Sequence, residues 1–270
     1  MEGEKSIKGF QVFNLIFFLG VVAANALANI LPIGGRGTGA ISDSYPNLFV
    51  PVPLTFAVWA VIYFALLVFI IYQFGAFTPK TKAHRRIVRR VGGWFIISCI
   101  ANTAWIVLWH YGLVYYSLIA MGAILLCLIA VQSNYSLRKL HASETWFFQV
   151  PFGLYLGWIT VATIANVTAA LVNVGWDRFG LTESLWVVIM VAAAAVIAWL
   201  QLWVKKDVAF GLVIIWALAG ILSRHLGEFG GVYRDAIWAL IGAIVFIGVF
   251  TLVALFRRLY KWRKKKPEMA

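Results

Sequence analysis

Neutral polar and aromatic side chains recur within the apolar stretches of this chain, and these are the residues there that could recognise a ligand. Trp158, Ala162 and Asn166 are spaced four residues apart, so on a helix they form a single stripe. A small residue between an indole and a carboxamide leaves room for a flat, uncharged ligand or for a closely packed neighbouring helix. Both interpretations remain open from this pattern alone.

The chain has thirteen tryptophans, and their positions differ in what they indicate. Seven lie near the ends of apolar stretches, where indoles favour the membrane–water interface. Trp59, Trp105 and Trp158 instead lie several residues inside such stretches, where each indole N–H needs a hydrogen-bond partner. With neutral polar groups such as Asn102, these indoles predict either an uncharged aromatic pocket or plain helix packing.

Groups for acid–base, nucleophilic or metal chemistry do not converge. All ten Asp and Glu residues lie in predicted loops or tails, which disfavours a proton-coupled pump. His110 ends an apolar stretch beside tyrosines, where an interfacial hydrogen bond is favoured over axial ligation of haem. Ser223, His225 and Glu228 are too close in sequence for a hydrolytic triad, so a charged surface cluster with Arg224 is predicted. We therefore do not expect an enzyme.

Two other features have ordinary structural explanations. The glycine-rich run at residues 34–39 lacks the Lys-Ser/Thr of a phosphate-binding loop, so a mobile external loop is predicted. Cys99 and Cys127 lie in the middle of apolar stretches, where they are expected to be small buried hydrophobic residues rather than a disulfide or a metal pair.

The composition identifies the elements that must position these residues as membrane helices. Of 270 residues, 63% are hydrophobic and only 12% are charged, whereas a soluble domain carries roughly 25% charged residues. Apolar stretches of about 20 residues, long enough to cross the bilayer as helices, exclude a soluble enzyme and a disordered protein and disfavour a β-barrel. We predict an all-α, polytopic transmembrane helix bundle with about eight spans: Phe10–Leu31, Leu54–Phe74, Val91–His110, Leu113–Ser133, Phe147–Val172, Ser184–Val204, Val208–Leu222 and Ala236–Phe256.

Two of these spans have alternative interpretations. The first resembles a secretory signal, but its apolar run is longer than the usual 7–15 residues of such a signal, so a retained helix is favoured. The seventh has about 15 residues and rises only about 22 Å, so it either crosses with little tilt or is re-entrant.

The distribution of Lys and Arg predicts the orientation of the chain. Of 23 such residues, 19 fall in the N-terminus, the loops after the second, fourth and sixth spans, and the C-terminal tail. The remaining four are Arg36, Arg178, Arg224 and Arg234. By the positive-inside rule, the seventh span crosses and both termini are cytoplasmic, so we expect an integral protein of the cell (inner) membrane. The net charge of +13 then reflects flanks of membrane helices rather than nucleic-acid binding.

Three motifs, on the second, third and fifth spans, match a known signature. The fifth span carries Tyr155, Trp158, Ala162, Thr163, Asn166 and Asn173 at the spacing of Pro-Tyr-x-x-Trp-x-x-x-Ala-Thr-x-x-Asn, with Leu154 in place of the proline. The second span has paired prolines, Pro51 and Pro53, followed by Phe56, Trp59 and Tyr63. The third contains Asn102-x-x-Trp105-x-x-x-Trp109. In these motifs the chain resembles the translocator-protein or tryptophan-rich sensory protein (TspO/MBR) family.

The resemblance covers about residues 8–175 and implies a five-helix core over residues 1–175, with residues 176–270 forming a three-helix C-terminal extension that ends in a basic cytoplasmic tail. It also implies a ligand cavity between helices, covered by the loop after the first helix; family members bind tetrapyrroles such as protoporphyrin and haem. The ligand-binding residues that the resemblance implies are Trp59, Tyr63, Asn102, Trp105, Tyr155, Trp158, Ala162 and Asn166. The Trp-Tyr and Lys-Pro elements that the family has in this loop are missing here, as is the acid often found in its fourth helix.

We therefore expect an integral membrane protein that binds, senses or facilitates the movement of a hydrophobic, planar, tetrapyrrole-like ligand. The alternatives are a permease for a neutral small solute and a structural membrane subunit. No cofactor is expected to be required, a tetrapyrrole being the candidate ligand, and no metal site is expected. The expected partners are the lipid bilayer and a hydrophobic small molecule, without nucleic acid, and a homodimer is the candidate assembly.

Overall fold

A computed structural model describes residues 2–31, 33–76, 82–136 and 142–265, and all regular structure in these ranges is helical. The helices are α1 Glu2–Ile30, α2 Thr38–Ser42, α3 Val58–Gln73, α4 Lys82–His110, α5 Val114–Ser136, α6 Ala142–Glu144, α7 Val150–Asn173, α8 Glu183–Leu200, α9 Val208–Leu226 and α10 Arg234–Lys265. A 3₁₀ segment, Pro53–Ala57, leads into α3, and π-helical segments, Thr145–Gln149 and Gln201–Lys205, precede α7 and extend α8.

Eight of these helices are long and apolar enough to cross a membrane, which confirms the predicted polytopic helix bundle. Their bounds lie within three residues of the predicted spans, apart from the start of the third and the ends of the seventh and eighth. The seventh runs over Val208–Leu226, and its 19 residues rise about 28 Å, enough to cross the hydrocarbon core. The helix continues past the predicted end at Leu222 because its last polar turn finds partners within the protein, described below.

Helix α7 lies at the centre of the bundle, where it packs against α3, α5 and α9. Around it, α4 packs between α1 and α5, and α10 packs against both α8 and α9. The approach of α7 to α9 depends on Gly157, where an added Cβ would lie 3.0 Å from the Phe210 carbonyl oxygen. Small residues allow such close approach between helices in membranes.

The two ends of the bundle differ in their contacts. At one end, here called the basic end, the Asn14 amide donates to the Gln73 side chain at 2.9 Å, and Arg258 donates to Gln149 at 2.7 Å. At the other, here called the loop end, the connections after α1, α4, α7 and α9 meet. Four of the 19 Lys and Arg residues that predict the orientation lie outside the described residues: Lys80, Arg138, Lys139 and Lys266.

Several residues singled out from the sequence take a defined place in the fold. Cys99 and Cys127 are free and buried, as expected. The glycine-rich run after α1 forms a 3₁₀ turn, Ile33–Gly35, followed by α2, so this predicted loop contains helical turns. Asp207, expected in a loop, is buried at the start of α9, where its carboxylate accepts a hydrogen bond from the Phe210 N–H at 3.3 Å.

Candidate functional site

Aromatic side chains from α3, α4 and α7 meet inside the loop-end half of the bundle. Trp59 is their common neighbour, with ring centroids 6.1 Å from both Trp105 and Trp158 and 6.0 Å from Tyr155. Tyr63, one turn further along α3, stacks on Trp59 at 5.3 Å. The three tryptophans that the sequence placed inside their spans therefore form one cluster.

A chain of hydrogen bonds holds the side of this cluster that faces α1. The Asn25 amide donates to the Asn102 carbonyl oxygen at 2.9 Å, and the Asn102 amide donates to the Tyr155 hydroxyl at 2.8 Å. All three side chains are buried. The chain ties α1, α4 and α7 together and fixes the Tyr155 ring beside Trp59.

A second set of hydrogen bonds fixes the indole of Trp105. Its Nε1–H donates to the Asn166 carbonyl oxygen at 3.1 Å, and the Asn166 amide donates in turn to the Ser117 hydroxyl at 3.2 Å. Asn166 thus joins α4, α5 and α7 at a buried position. Asn173, the next amide of the family motif, lies near the loop end and donates to the Tyr115 hydroxyl at 2.8 Å.

A cavity of about 50 Å³ remains beside the cluster. Of the eight predicted site residues, five line it: Trp59, Trp105, Trp158, Ala162 and Asn166. The stripe on α7 thus faces the cavity, with Ala162 leaving the space, whereas Tyr63, Asn102 and Tyr155 contact or position the cluster from behind. No charged residue lines the cavity in the described part of the chain, and the buried Trp158 Nε1–H has no acceptor there.

The segment between α1 and α3 closes the cavity at the loop end, and residues 38–57 are called the roof below. Thr38, Ser42, Phe49, Pro51 and Phe56 supply its lining from this side. The Phe56 ring meets the edge of Trp158 at 5.9 Å between centroids. The resemblance implied a covering loop but did not predict these residues.

His110 and Trp109, at the end of α4, support the first turn of the roof. The His110 Nε2 atom lies 3.1 Å from the Thr38 hydroxyl and its Nδ1 atom 3.3 Å from the Ile33 carbonyl oxygen. Trp109 donates to the Thr38 carbonyl oxygen at 3.3 Å. With both ring nitrogens engaged, His110 is a hydrogen-bonding residue here, the interpretation favoured from the sequence. Over Trp109 lies the Tyr45 ring, 5.6 Å away, and burial raises the pKa of its phenol, so the ring stays uncharged.

Helix α9 fastens the roof from the opposite side. Trp216, Gly220 and Arg224 are spaced four residues apart and all face the roof. Trp216 donates to the Thr55 carbonyl oxygen at 3.0 Å, and the Gly220 carbonyl oxygen accepts from the Val52 N–H at 3.2 Å. This stripe is called the latch.

The last turn of α9 completes the latch. Arg224 pairs with Asp43 of the roof at 2.5 Å and with Glu228 at 2.8 Å. His225 is fully buried, and its Nε2 atom lies 2.9 Å from the Leu48 carbonyl oxygen. The expectation of a surface cluster here is therefore wrong for His225, and the Arg224 side chain is only 12% exposed, because both residues hold the roof.

Helix α9 contributes to the site although no motif in the sequence predicted it. Ala217 and Ile221, each next to a latch residue in sequence, line the cavity. The signal was present in the spacing of Trp216, Gly220 and Arg224, which repeats the four-residue spacing of the stripe on α7. The sequence does not show which helices are neighbours, so it does not show which segment the stripe on α9 contacts.

The described residues offer no metal centre, since no group of three His, Cys, Asp or Glu side chains lies close enough to hold an ion. The site is instead an uncharged aromatic cavity with one unpaired N–H donor and a fastened roof.

Comparison with known proteins supports the same relationship as the motifs. The family model described as TSPO-like protein matches residues 11–256, which includes all eight membrane helices at least in large part. No curated protein and no solved structure matches the chain significantly. The match agrees with the three motifs and with the helical architecture: the chain belongs to the TSPO-like family of integral membrane proteins.

Proposed function

We propose that this protein binds a hydrophobic, planar ligand in the central cavity and acts as a receptor, a sensor or a facilitator of ligand movement. The observation that carries the proposal is the Trp158 indole N–H, which is buried at the cavity wall without an acceptor. A buried donor without a partner costs about 1–3 kcal/mol, and an acceptor on a ligand would remove that cost. The surrounding indoles offer flat apolar faces to the rest of such a molecule.

The volume of the cavity requires that the roof moves when a ligand binds. Small-molecule pockets usually measure about 300–1,000 Å³, and the 50 Å³ here holds at most a few water molecules. The bundle helices are fixed to one another by the two hydrogen-bond networks, whereas the roof is held by contacts with the ends of α4 and α9. We propose that the state described here is the closed one and that release of the latch opens the cavity.

The chemistry of the lining favours a ligand with an extended flat ring system, for which a tetrapyrrole is the candidate. An uncharged aromatic wall suits such a ring, and a single N–H donor suits one acceptor on it. Binding rather than catalysis is proposed, with the ligand as cargo or signal and not as a required cofactor. We also propose that both termini face the cytoplasm in the inner membrane, on the strength of the basic residues counted from the sequence.

Titration of the detergent-purified protein with protoporphyrin tests the proposal, with tryptophan quenching and the porphyrin absorption band as readouts. We expect saturable binding to the wild type. Ala162→Phe should reduce the affinity at least tenfold because the added ring fills the cavity from α7. Ala193→Phe is the matched control, because Ala193 is exposed on the outside of α8 and should leave binding unchanged.

A second variant tests the unpaired donor itself. Trp158→Phe keeps an aromatic ring but removes the N–H, so the affinity should fall about 2- to 12-fold, the loss expected for one hydrogen bond of 0.5–1.5 kcal/mol. Trp238→Phe, on the exposed side of α10, is its control. Absence of saturable binding to the folded wild type would overturn the porphyrin proposal, and equal binding by the Ala162 and Ala193 variants would overturn the assigned site.

A further inference from the structure

A second and larger cavity opens at the loop end, on the outer side of α7. Its volume is about 300 Å³, within the range of small-molecule pockets. Four segments form its walls: the end of α7, residues 175–178 of the connection that follows it, the start of α8 and residues 46–48 of the roof. Neither the motifs nor the family resemblance pointed to this place, and its lining residues differ from those of the central cavity.

The cavity is apolar at its base. Leu171 and Val172 of α7 face Val187 and Met190 of α8 across it. At the floor the Thr168 hydroxyl oxygen lies 3.0 Å from the Met190 sulfur, and both side chains are buried. A molecule that enters must therefore place an apolar part inside.

The mouth of the cavity carries charges of both signs. Arg178 lies 3.3 Å from Glu183, and both side chains are more than a third exposed. Asp177, which adjoins Arg178, also lines the cavity and accepts a hydrogen bond from the Phe179 N–H at 3.0 Å. One cation and two carboxylates at the mouth of an apolar cavity match a head group that bears both a phosphate and an ammonium.

The aromatic wall offers the ligand a donor and ring faces. The indole N–H of Trp186 is buried and has no acceptor among the described residues. Trp176 meets Trp186 edge-on at 4.8 Å between centroids, and both line the cavity. An ester or phosphate oxygen would satisfy the Trp186 donor, and the indole faces attract an ammonium group. Tryptophans at the ends of membrane helices also place this mouth at the level of lipid head groups.

We propose that this outer cavity is a binding site for a zwitterionic amphiphile, with the phosphate at Arg178 and Trp186, the ammonium at Asp177 and Glu183, and part of one acyl chain between α7 and α8. Two sources share this chemistry: a phospholipid of the bilayer that inserts one chain, and a free single-chain lysophospholipid. The proposal does not depend on a ligand in the central cavity.

Native mass spectrometry of the full chain in a maltoside detergent, titrated with lysophosphatidylcholine, tests the site. We expect one molecule bound per chain in a saturable manner. Lysophosphatidic acid, which lacks the ammonium, and an alkyltrimethylammonium, which lacks the phosphate, should each bind at least fivefold more weakly. Binding that is equal for all three head groups, or that never saturates, overturns the proposal.

Variants separate this site from lipid bound elsewhere on the surface. Val172→Trp fills the cavity and should lower the lysophosphatidylcholine affinity at least tenfold, whereas Val196→Trp, on the exposed side of α8, should not change it. Trp186→Phe removes the N–H while it keeps an aromatic ring, and it should weaken binding about 2- to 12-fold, which provides a test if Val172→Trp fails to fold. Unchanged binding in the folded cavity variants overturns the proposal.

The source of the ligand is distinguished by a second arm with nanodiscs of two-chain phosphatidylcholine. Retention of one such lipid through detergent extraction by the wild type, and its loss from Val172→Trp, supports a bilayer phospholipid. Saturable binding of the lysolipid alone supports a single-chain amphiphile. If the wild type neither binds the lysolipid in a saturable manner nor retains the two-chain lipid, the proposed site is overturned.

Discussion

At the scale of single residues, the buried polar groups near the cavity are of two kinds: amides that join helices by hydrogen bonds, and an indole N–H that has no acceptor. Asn102 and Asn166 each bond to side chains of two other helices, so both the oxygen and the nitrogen of each amide have a partner. The Trp158 indole, one neighbour away from both networks, has no acceptor in the described chain. The polar groups around the cavity are thus fixed in place, and the donor without an acceptor belongs to a residue of the cavity wall. The side chains of the bundle that line the cavity are therefore held in place, and the roof is the part that would have to move for a ligand to enter.

Asn102→Leu tests the structural role of the amide network. The substitution keeps a γ-branched side chain but leaves one of the two Asn25 amide N–H groups without its acceptor and removes the donor to Tyr155. Unsatisfied buried groups cost about 1–3 kcal/mol, and hydrogen bonds in membrane bundles fall at the lower end, so we expect a loss of about 1–2 kcal/mol of unfolding free energy. Asn134→Leu is the control, since Asn134 donates only to the Ala130 carbonyl of its own helix at 2.8 Å. Equal thermal stability of the two variants would show that the network contributes nothing.

At the scale of elements, α9 joins the C-terminal helices to the candidate site. Its inner face packs on α7, and two of its residues line the central cavity. The latch and His225 together hold the roof at Asp43, Leu48, Val52 and Thr55. The proposed division into residues 1–175 and 176–270 stays a prediction, but a core without α9 would lose part of its cavity wall and every contact that holds residues 48–55 of the roof to this helix.

The sequence predicted the elements better than their mutual contacts, for a physical reason. Span positions follow from local composition and length, because lipid imposes the same requirement on every crossing helix. The latch joins residues more than 160 positions apart, such as Thr55 and Trp216, and no local pattern records such a pair. The stripe on α7 was recognisable because it coincided with a family motif. The stripe on α9 has the same periodicity, but the roles of Gly220 and Arg224 depend on contacts with the roof, which is distant in the sequence.

Gly220→Ala tests the latch at this scale. A Cβ at Gly220 would overlap the Thr55 side chain, so the roof or α9 must shift. Overpacking costs about 1–3 kcal/mol, against about 1 kcal/mol gained from the better helix propensity of alanine. We expect a lower midpoint of thermal unfolding and faster hydrogen exchange at residues 43–55. Gly242→Ala, where an added Cβ meets nothing within 4 Å, should be neutral or stabilising.

The companion substitution Thr55→Ala makes this test specific. It removes the two atoms that come closest to the added Cβ, so it should restore part of the stability lost in Gly220→Ala. If the double variant is no better than the single one, the overlap is not the cause of the loss. If Gly220→Ala behaves as Gly242→Ala does, the latch does not hold the roof.

At the scale of the whole molecule, the roof is a wall common to both cavities. Residues 46–48 line the outer cavity, and Phe49 and Pro51, immediately after them, line the central one. A shift of this short segment therefore changes both cavities together.

A homodimer stays a prediction. In a monomer the exposed apolar side chains of the bundle face lipid.

The orientation of the bundle is the prediction on which the meaning of both cavities depends, because it decides which compartment the loop end faces. Single cysteines test it with a membrane-impermeant maleimide. Val232→Cys, at an exposed position of the loop end, should be labelled in intact cells, and Arg85→Cys, exposed near the basic end, only after permeabilisation. The native cysteines do not interfere, because Cys99 and Cys127 are 3% and 4% exposed and should stay unlabelled. Since the positive-inside rule counts Lys and Arg near span ends, and 19 of 23 fall on the basic side, loss of Arg85 alone should not reverse the insertion. Labelling in the opposite order would place both termini outside, and the roof would then open toward the cytoplasm.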